Sequence, residues 1–453
     1  SIEAIEKVEP DLNNTAFLLY FKNGSAVNIG DVKKKVEDAG FSVGELVVVF
    51  NFKDQQAANN GTFTLDNNTY TFMDTLSSLS SGMTNVIKDA LGLAVILISY
   101  PFVLKYLAIF QLESSVFVYI TAFICIDFAS YWVHRLNHKV NIFWNQHVIH
   151  HSSEEFNLAC ALRQSISNLI GFGAVFLIPA ALLGVPAKVI MSLAPLHLFA
   201  QFWYHTQHIG KLGFLEYILV TPSQHRVHHA INPIYIDKNM AAIFSVWDRL
   251  FGTFQEELDS EPPVYGTLKP SKSWNPIWIN FQHLWQITQD AWYAKNWIDK
   301  LKIWFMPTGW RPKDVEDRFP ITPRPIDSED KYNPFYNNQW KAIALIHFVS
   351  LNFLLLFLLA NYSELTVEFR VSLGFVLLFS IFGFTGLMDF HKWAPTYEIF
   401  RGLLGILFVF LPQCEFLRFE YPLFFGFYIT YFIITSALGI WSNRKEFNRS
   451  LAL

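Results

Sequence analysis

Long apolar runs alternate with polar segments from about residue 90 to the end of the chain. Each long run approaches the ~20 residues that cross about 30 Å of hydrocarbon as a helix. These runs cover residues 90–110, 116–131, 166–183, 188–203, 342–360, 371–387 and 423–440. A shorter run at 402–411 is expected to be re-entrant or tilted, unless it crosses as an eighth span. The pattern predicts an all-α polytopic membrane protein.

Residues 1–82 show a different pattern and are expected to form a separate, small α+β unit. Strands are predicted at 15–21 and 44–52, a helix at 28–39, and a hairpin from 62–65 and 69–72. This βαββ order resembles a ferredoxin-like, heavy-metal-associated module, but the segment has no Cys and therefore lacks the Cys-x-x-Cys metal site. Residues 77–82 are rich in small side chains and are predicted to be a linker.

Two further regions complete the predicted organisation. Residues 83–340 are expected to hold four spans and a cytoplasmic cap, and residues 341–453 three or four spans. The cap region is rich in Trp, and residues 274–305 are predicted to form one or two amphipathic helices, since Trp favours the headgroup level of a membrane. A cap that packs on the functional site is the compatible alternative.

Composition agrees with a membrane protein and excludes some partners. The chain of 453 residues is 52% hydrophobic and only 16% charged, whereas soluble proteins are nearer a quarter charged. A net charge of -4 argues against a nucleic-acid partner. The three cysteines are scattered and form no Cys-x-x-Cys pair.

Eight of the fourteen histidines fall into three clusters between the apolar runs. Because residues at i, i+3 and i+4 share one helix face, each cluster can direct its imidazoles at one point. Neutral imidazole binds Zn, Fe, Cu and Ni, and eight are enough for two metals. The predicted metal ligands of the clusters are His134, His138, His147, His150, His151, His225, His228 and His229. No cluster contains the Glu of the zinc hydrolase motif His-Glu-x-x-His.

The clusters lie on one side of the membrane if the first four runs form two hairpins. The same side holds several basic residues, whereas the opposite loops at 111–115 and 184–186 contain no Lys or Arg. The positive-inside rule then places the histidines in the cytoplasm. The basic residues are Lys139, Arg163, Lys211, Arg226, Lys238 and Arg249.

The chain from about 127 to 254 resembles the membrane fatty acid hydroxylase and sterol desaturase superfamily. The resemblance rests on the His-x3-His and two His-x2-His-His clusters, on Tyr-Ile-Asp-Lys-Asn at 235–239 and on Trp-Asp-Arg-Leu-Phe-Gly-Thr-Phe at 247–254. The stretch His-His-Ser-Ser-Glu-Glu-Phe-Asn at 150–157, followed by Ala-Leu-Arg-Gln-Ser at 161–165, is most similar to the alkylglycerol monooxygenase branch.

The resemblance implies a non-haem di-iron centre that uses O2 to oxidise a membrane lipid, with zinc possible in purified protein. It also implies His205, in Trp-Tyr-His-Thr, as a ninth metal ligand. The branch implies tetrahydrobiopterin as the external reductant, and another electron donor is the alternative, because the sequence has no flavin, haem or iron–sulfur motif of its own. A bonded or solvated imidazole is expected at His197, His208, His283, His347 and His391.

Six polar residues are candidates for supporting roles. Asp127 lies inside an apolar run, where an acid is costly and usually functional; two helical turns before His134, it is predicted to orient a ligand imidazole. Glu154 is the other predicted catalytic carboxylate. Residues predicted to lie behind the metal ligands are Glu155, Asn157, Asp237 and Asn239.

Three functions compete at this point. The favoured one is lipid monooxygenation, including cleavage of an alkylglycerol ether bond. A sterol or fatty-acyl desaturase or hydroxylase is the second. A metal transporter or metal-binding membrane protein is the third, and it is less favoured because transporters place ionisable ligands near the bilayer midplane, whereas these clusters follow the spans.

Overall fold

The computed structural model describes residues 5–11, 16–21, 64–65, 68–69, 72–326, 331–332, 334 and 338–442. The chain divides into two compact units, residues 1–71 and 72–453. In the first unit, β1 (Ile5–Asp11) pairs antiparallel with β2 (Ala16–Phe21), and β3 (Thr64–Leu65) with β4 (Asn68–Thr69). Among the described residues, the secondary structure of the second unit is helical apart from two short strands, and long irregular segments connect several of the helices.

The predicted ferredoxin-like order finds no support in the first unit. The β2 strand and the β3–β4 hairpin agree with two predicted elements, but β2 pairs with β1, which was not predicted. Alternating charges and Pro10 conceal β1, because strands are recognised by β-branched and aromatic residues. The predicted helix at 28–39 and strand at 44–52 lie outside the described residues.

The helices of the second unit follow in chain order. The first part contains α1 (Phe72–Ala90), α2 (Tyr100–Leu107), α3 (Val116–Lys139), α4 (Asn141–Trp144), α5 (Val148–His151), α6 (Ile178–Leu182), α7 (Ala187–Ala200), α8 (Pro222–His228) and α9 (Val246–Leu250). The rest contains α10 (Pro276–Tyr293), α11 (Trp297–Lys302), α12 (Lys313–Arg318), α13 (Asn338–Ala360), α14 (Val367–Met388), α15 (Ala394–Val409), α16 (Glu415–Glu420) and α17 (Pro422–Ser442).

Residues 77–82, predicted to be a linker, lie inside α1. Their composition is typical of a linker, but Met73, Leu76, Met83 and Ile87 recur at helical spacing and are buried with residues of α13 and α14. The serines between them are buried as well, and the Ser77 hydroxyl donates to the Trp274 carbonyl at 2.8 Å. Tertiary packing therefore overrides the local signal, and the second unit begins before residue 83.

Within the described residues, four helices are long and apolar enough to cross a membrane: α3, α13, α14 and α17. A fifth span is possible if α15 and the segment from Pro412 to Glu420, bent by 75°, cross together. This is fewer than the predicted seven or eight. The chain is a multi-pass integral membrane protein, and the bent pair agrees with the prediction that the run at 402–411 is re-entrant or tilted.

Two predicted spans are interrupted by strands, and a third forms only a shorter apolar helix. The run 90–110 contains strand β5 (Val95–Ile96) before α2, and the run 166–183 contains β6 (Ile170–Gly171), which pairs parallel with β5. The run 188–203 forms α7, a helix of 14 residues with Pro195 inside it. A run of apolar residues sets hydropathy but not helix continuity, because β-branched residues such as Val95, Ile96 and Ile170 favour strand pairing within it.

Two large apolar cores lie in the described part of the second unit, beside three smaller clusters. One is formed by α13, α14, α15 and α17 with α1, and includes Leu354, Phe369, Leu377 and Phe432. The other packs α3 on α2, α6 and α7. Thus α3 is fixed along its length by apolar neighbours, and its C-terminal turns carry the first histidines.

A charged pair lies inside the C-terminal bundle. Glu398 and Arg401 of α15 are both buried, and Arg401 donates to both carboxylate oxygens of Glu398 and to the Ser380 hydroxyl at 2.9 Å. His347 of α13 lies beside them, with its Nε2 3.9 Å from the Glu398 carboxylate. The pair therefore links α13, α14 and α15 by polar contacts.

Replacing Gly405 with alanine is expected to destabilise the C-terminal bundle by about 1–3 kcal/mol, because the new Cβ would overlap the Phe432 ring of α17. Gly426, also inside a helix, is the matched control: a Cβ there meets no atom within 4 Å. Alanine at Gly426 should leave the bundle equally stable or slightly more so. The free energy of unfolding in mixed micelles measures both, and equal effects would contradict close packing at Gly405.

Candidate metal centre

Nine buried or partly buried imidazoles meet in two adjacent groups. We call them the five-histidine group, which contains His134, His138, His147, His151 and His228, and the four-histidine group, which contains His150, His205, His225 and His229. Within each group the ligand nitrogens lie within 4.8 Å of one another. The structure thus brings together the three sequence clusters and His205, and it leaves His208 exposed outside both groups.

Three elements carry most of these side chains. His134 and His138 occupy the last turns of α3, His150 and His151 end α5, and His225 and His228 belong to α8. The expectation that each His-x2-His-His trio aims at one point is wrong. Residues four apart stay together, whereas the third histidine joins the other group. Adjacent helical residues differ by about 100°, so each trio serves both groups and couples them.

The outer ring nitrogens are held by fixed partners. A carbonyl that accepts from Nδ1–H fixes the tautomer, so that the Nε2 lone pair faces the centre of the group. The Nδ1 atoms of His134, His228 and His205 lie 2.8, 3.0 and 3.0 Å from the carbonyls of Met240, Lys238 and Gln201. His150 Nδ1 lies 3.3 Å from the Arg163 carbonyl. These contacts orient the imidazoles as metal-binding sites require.

The inner nitrogens fit a metal. Nε2 of His205 and His225 are 2.8 Å apart, and those of His134 and His147 are 2.9 Å apart. Among the described residues, Nε2 of His138 and of His228 is buried without a hydrogen-bond partner. Buried polar atoms normally have one. Converging imidazole nitrogens of this kind suit Fe, Zn or Cu better than Mg or Ca, which prefer oxygen.

Burial keeps these imidazoles neutral. It lowers the pKa of His205 to about 4 and holds the pKa of His150 and His229 well below the usual value, with the neighbouring histidines adding to the effect on His150 and His229. Burial disfavours the charged form. The neutral imidazole is the metal-binding form, so the groups are ready to bind a cation near neutral pH.

Asp127 does not have the predicted position beside His134. It is completely buried and accepts hydrogen bonds from Nε2 of His197 at 2.7 Å and from Nε1 of Trp247 at 2.9 Å. The backbone N–H groups of Ile243 and Phe244 also donate to it at 2.9 Å. Two helical turns separate residues by about 10 Å along the axis, which is too far for direct contact with His134. Asp127 instead fixes the segment that follows Met240.

The carboxylates after His151 bind Arg324, Lys331 and Tyr332. The Glu154 carboxylate accepts from Arg324 Nη1 at 2.7 Å and from the Tyr332 N–H at 2.6 Å. Glu155 pairs with Lys331 at 2.9 Å. Asn157 accepts from the Ala159 N–H at 2.8 Å, a local turn contact. The bonds of Glu154 and Glu155 therefore hold Arg324, Lys331 and Tyr332 next to the segment that follows His151, and a catalytic role for Glu154 remains a prediction.

Asp237 and Asn239 have left-handed backbones, with φ of 59° and 53°, which Asp and Asn tolerate better than most residues. An Asp237 oxygen lies 3.5 Å from His138 Nδ1, and the other accepts from Lys139 at 2.6 Å. Burial raises the pKa of Asp237, but the bonds from His138 and Lys139 outweigh it and hold the pKa below the usual value. Asn239 donates to the carbonyl of Gln224, next to His225. Asp237 thus lies beside the outer nitrogen of His138, whereas Asn239 bonds the backbone next to His225.

Replacing Asp237 with asparagine is expected to lower metal affinity about 10- to 100-fold, because an outer partner of a ligand imidazole is weakened while its shape is kept. Metal competition with a chelator measures the change. Asp259→Asn is the control, since that side chain is almost fully exposed. Unchanged affinity in the Asp237 variant would show that this carboxylate does not orient His138.

Three polar residues that support the site escaped the sequence analysis. Asp248 accepts from the N–H groups of Met240 and Ala241 at 2.6 and 3.0 Å, and so fixes the carbonyl that faces His134. The Arg163 side chain is buried and donates to Asp74 of α1 at 2.6 Å. Arg163 and Asp248 lie within the sequence motifs that carry the family resemblance, so the sequence offered a signal for both of them. Asp74 lies outside them and gave none.

A cavity of about 520 Å³ adjoins the metal centre. One wall carries His138, His151, His228 and His229. The remaining walls are largely apolar near Trp144, Ile236, Ile279, Ile287 and Ile321, and polar near Lys269, Gln286, Asp290 and Arg311. A space with apolar walls and a few polar groups is typical of a ligand site, and here it opens onto imidazoles of both groups.

Comparisons with known proteins agree with this site. The fatty acid hydroxylase family model matches residues 119–253, which include all nine histidines. Alkylglycerol monooxygenase of Homo sapiens is 33% identical over 338 residues, 74% of this chain and 75% of the relative. The Xenopus tropicalis protein of that name is 31% identical over 446 residues, 96% and 95% of the two chains. An ornithine lipid hydroxylase of Rhizobium tropici is 30% identical over 128 residues, 28% and 39% of the two chains.

No solved structure matches the chain significantly. The match to the frog protein extends over nearly the whole of both sequences, and the match to the human protein covers three quarters of the relative. Both lie above 30% identity, and the family model covers the segment that forms the metal centre. The chain therefore belongs to the fatty acid hydroxylase family, in the branch of the alkylglycerol monooxygenases.

Proposed function

We propose that the protein is a di-iron, O2-dependent lipid monooxygenase that cleaves the ether bond of an alkylglycerol. The observation that carries the proposal is the pair of imidazole groups, with inward Nε2 atoms, on the wall of a largely apolar cavity. Two groups support two metals. The name of the relatives supplies the substrate class, and the apolar cavity walls suit an alkyl chain.

The bound metal pair would supply the oxidising power that an unactivated C–H bond requires, since such a bond offers no acidic or basic group to attack. One oxygen atom of O2 enters the C–H bond next to the ether oxygen, and the other leaves as water. Two electrons and two protons come from an external reductant, for which tetrahydrobiopterin is proposed. The hemiacetal then breaks into a fatty aldehyde and glycerol.

The chain's own residues prepare this reaction by orientation and exclusion of water. His134, His138, His147, His151 and His228 would hold one iron, and His150, His205, His225 and His229 the other. The outer carbonyl partners keep the rings from rotating. The apolar stretch of the cavity would align the alkyl chain, and its polar residues would receive the headgroup.

The position of the histidines argues against the transporter alternative. His134 and His138 lie in the last turns of α3, at the end of a candidate span. Transporter sites lie near the bilayer midplane. We further propose that the metal centre faces the cytoplasm, because α3 ends at Lys139 on the side of the histidines, whereas residues 111–115 before its other end contain no Lys or Arg.

The proposed function is tested by measuring bound metal and turnover in the same preparation. The full chain in lipid nanodiscs is expected to bind two irons, and to release fatty aldehyde from a 1-alkylglycerol only when O2 and tetrahydrobiopterin are both present. A sterol and a fatty-acyl lipid are assayed in parallel. Oxidation of either one, with the alkylglycerol unchanged, would select the desaturase or hydroxylase alternative. Full activity in metal-free protein would refute the metal mechanism.

A further inference from the structure

Seven large apolar side chains project from α10 and from the segment that follows it. Trp278, Trp285 and Trp292 recur at intervals of seven residues and therefore share one face of α10. Exposure reaches 79% at Trp292 and 75% at Trp297. We call this set the tryptophan face; its members are Trp278, Trp285, Trp292, Trp297, Ile298, Leu301 and Phe305. An exposed apolar surface of this kind marks an interaction site.

The start of α10 is fastened to the end of a candidate span. Asp389 directly follows α14 and accepts from the Ser273 hydroxyl at 2.5 Å and from the Trp274 N–H at 2.7 Å. Asn275, the N-cap of α10, donates to the Phe382 carbonyl inside α14. If α14 crosses the bilayer, α10 begins where the bilayer ends. Its 18 residues form a helix about 27 Å long.

Positive charge accompanies the tryptophan face. Lys295, Lys300 and Lys302 lie in or next to α11. Asp299 pairs with Lys302 at 3.1 Å, and the Lys300 ammonium donates to the carbonyls of Ala291 and Trp292 at the end of α10. Lys300 stands over the Trp297 ring, 5.4 Å from its centroid. Tryptophan beside lysine is typical of a segment that lies in the headgroup region of an anionic membrane surface.

A neighbouring face of α10 lines the cavity beside the metal centre. Ile279, Gln282, Gln286, Ile287 and Asp290 all border it. One helix therefore separates the cavity from whatever covers the tryptophan face. A helix with its side chains is about 10 Å thick, so this partner would lie close to the imidazoles without blocking them.

We propose that the tryptophan face seats α10 and α11 in the surface of the phospholipid bilayer, so that α10 forms the wall between the membrane and the catalytic cavity. The occupant is the headgroup and upper acyl region of one leaflet. A membrane lipid would then reach the cavity along the edge of α10. This last step rests on the proposed function.

The accessibility of a spin label to lipid-soluble and water-soluble quenchers tests whether the tryptophan face lies in the membrane. The full chain is placed in nanodiscs of phosphatidylcholine and phosphatidylserine, with a spin label at Trp292→Cys or Trp297→Cys. The native cysteines are all buried, and unsubstituted protein gives the labelling background. Collision with lipid-soluble O2 should exceed collision with a water-soluble nickel chelate several-fold. Lys313→Cys, at an exposed side chain of α12, should show the reverse.

Two results would overturn the proposal. Labels at 292 and 297 that meet the nickel chelate as freely as the label at 313 would place the face in water. Labels shielded from both quenchers would show that protein, either residues 1–71 or a second copy of the chain, covers it.

A turnover experiment tests the path to the cavity. In Trp292→Gln/Trp297→Gln, oxidation of a lipid embedded in the nanodisc should fall several-fold relative to Lys313→Gln, and an unchanged rate would refute the path. If the unsubstituted protein does not oxidise the lipid at all, the proposed function fails, whereas the quenching result still decides the seat in the membrane.

Discussion

Replacing His150 with alanine is expected to reduce bound iron from two ions to one per chain and to lower O2-dependent lipid oxidation at least about 100-fold. His150 contributes a nitrogen to the four-histidine group, and its Nε2 lies 3.3 Å from that of His205. Loss of an outer partner of a ligand already costs 10- to 100-fold, and loss of the ligand itself should cost more. Elemental analysis and aldehyde release measure the two effects.

His208→Ala is the control for this variant. His208 lies three residues after His205 but is exposed and belongs to neither group. Its replacement should leave iron content and turnover unchanged. Equal losses in both variants would mean that histidine content in general, rather than the geometry of the four-histidine group, governs metal binding. Unchanged metal and activity in the His150 variant would refute its assignment as a ligand.

Replacing Asp74 with alanine is expected to destabilise the protein by about 3–5 kcal/mol, because it leaves the buried Arg163 guanidinium without its counter-charge. The two side chains are 5% and 2% exposed, and Arg163 also donates to Ser78 and Ser152. The carbonyl of Arg163 faces His150, so the four-histidine group should also bind iron less tightly. The free energy of unfolding and the iron content measure both consequences.

A double variant and a surface control show whether the unpaired buried charge causes the loss of stability. Asp74→Ala/Arg163→Met removes both charges and should be more stable than Asp74→Ala alone, since no unpaired charge remains buried. Asp89→Ala, near the end of the same helix, removes a carboxylate that is 60% exposed and should cost less than about 1 kcal/mol. If the double variant is no more stable than the single one, the charge pair is not the cause.

The sequence predicts the convergence of the histidines well because its signal is local. His134 and His138 are four residues apart on one helix, and the three clusters are dense enough to be recognised without a structure. The nine predicted ligands are the nine imidazoles that converge. The division of each trio between two groups was missed, although the 100° step between His150 and His151 was available as a clue.

The supporting residues could not be predicted equally well, because their partners are distant in the chain. Asp127 is bonded to His197, 70 residues away, and to backbone atoms more than a hundred residues away. Residue spacing gives information only about neighbours on the same helix. For that reason Asp127 was predicted to orient His134. The same reason hid Asp74, whose partner Arg163 lies 89 residues further along.

The bounds of the helices were also predicted well in some places and poorly in others. Long uninterrupted runs such as those of α13 and α17 were predicted with nearly the right bounds, because apolar length and helix continuity coincide there. They diverge where Val95–Ile96 and Ile170–Gly171 pair as strands within apolar runs. In α1 the serines concealed a helix whose buried positions are spaced by three, four and seven residues.

The buried pair of Glu398 and Arg401 has a consequence for how the protein is made. An arginine alone at the centre of an inserting helix costs about 2.5–3.5 kcal/mol during translocon-mediated integration. Arg401 finds its second partner, Ser380, on the preceding helix, and Gly402 and Gly405 let α15 press against the later α17. We therefore expect α15 to be retained beside the translocon until α17 has been synthesised, so that this part of the bundle enters the bilayer as one assembled unit.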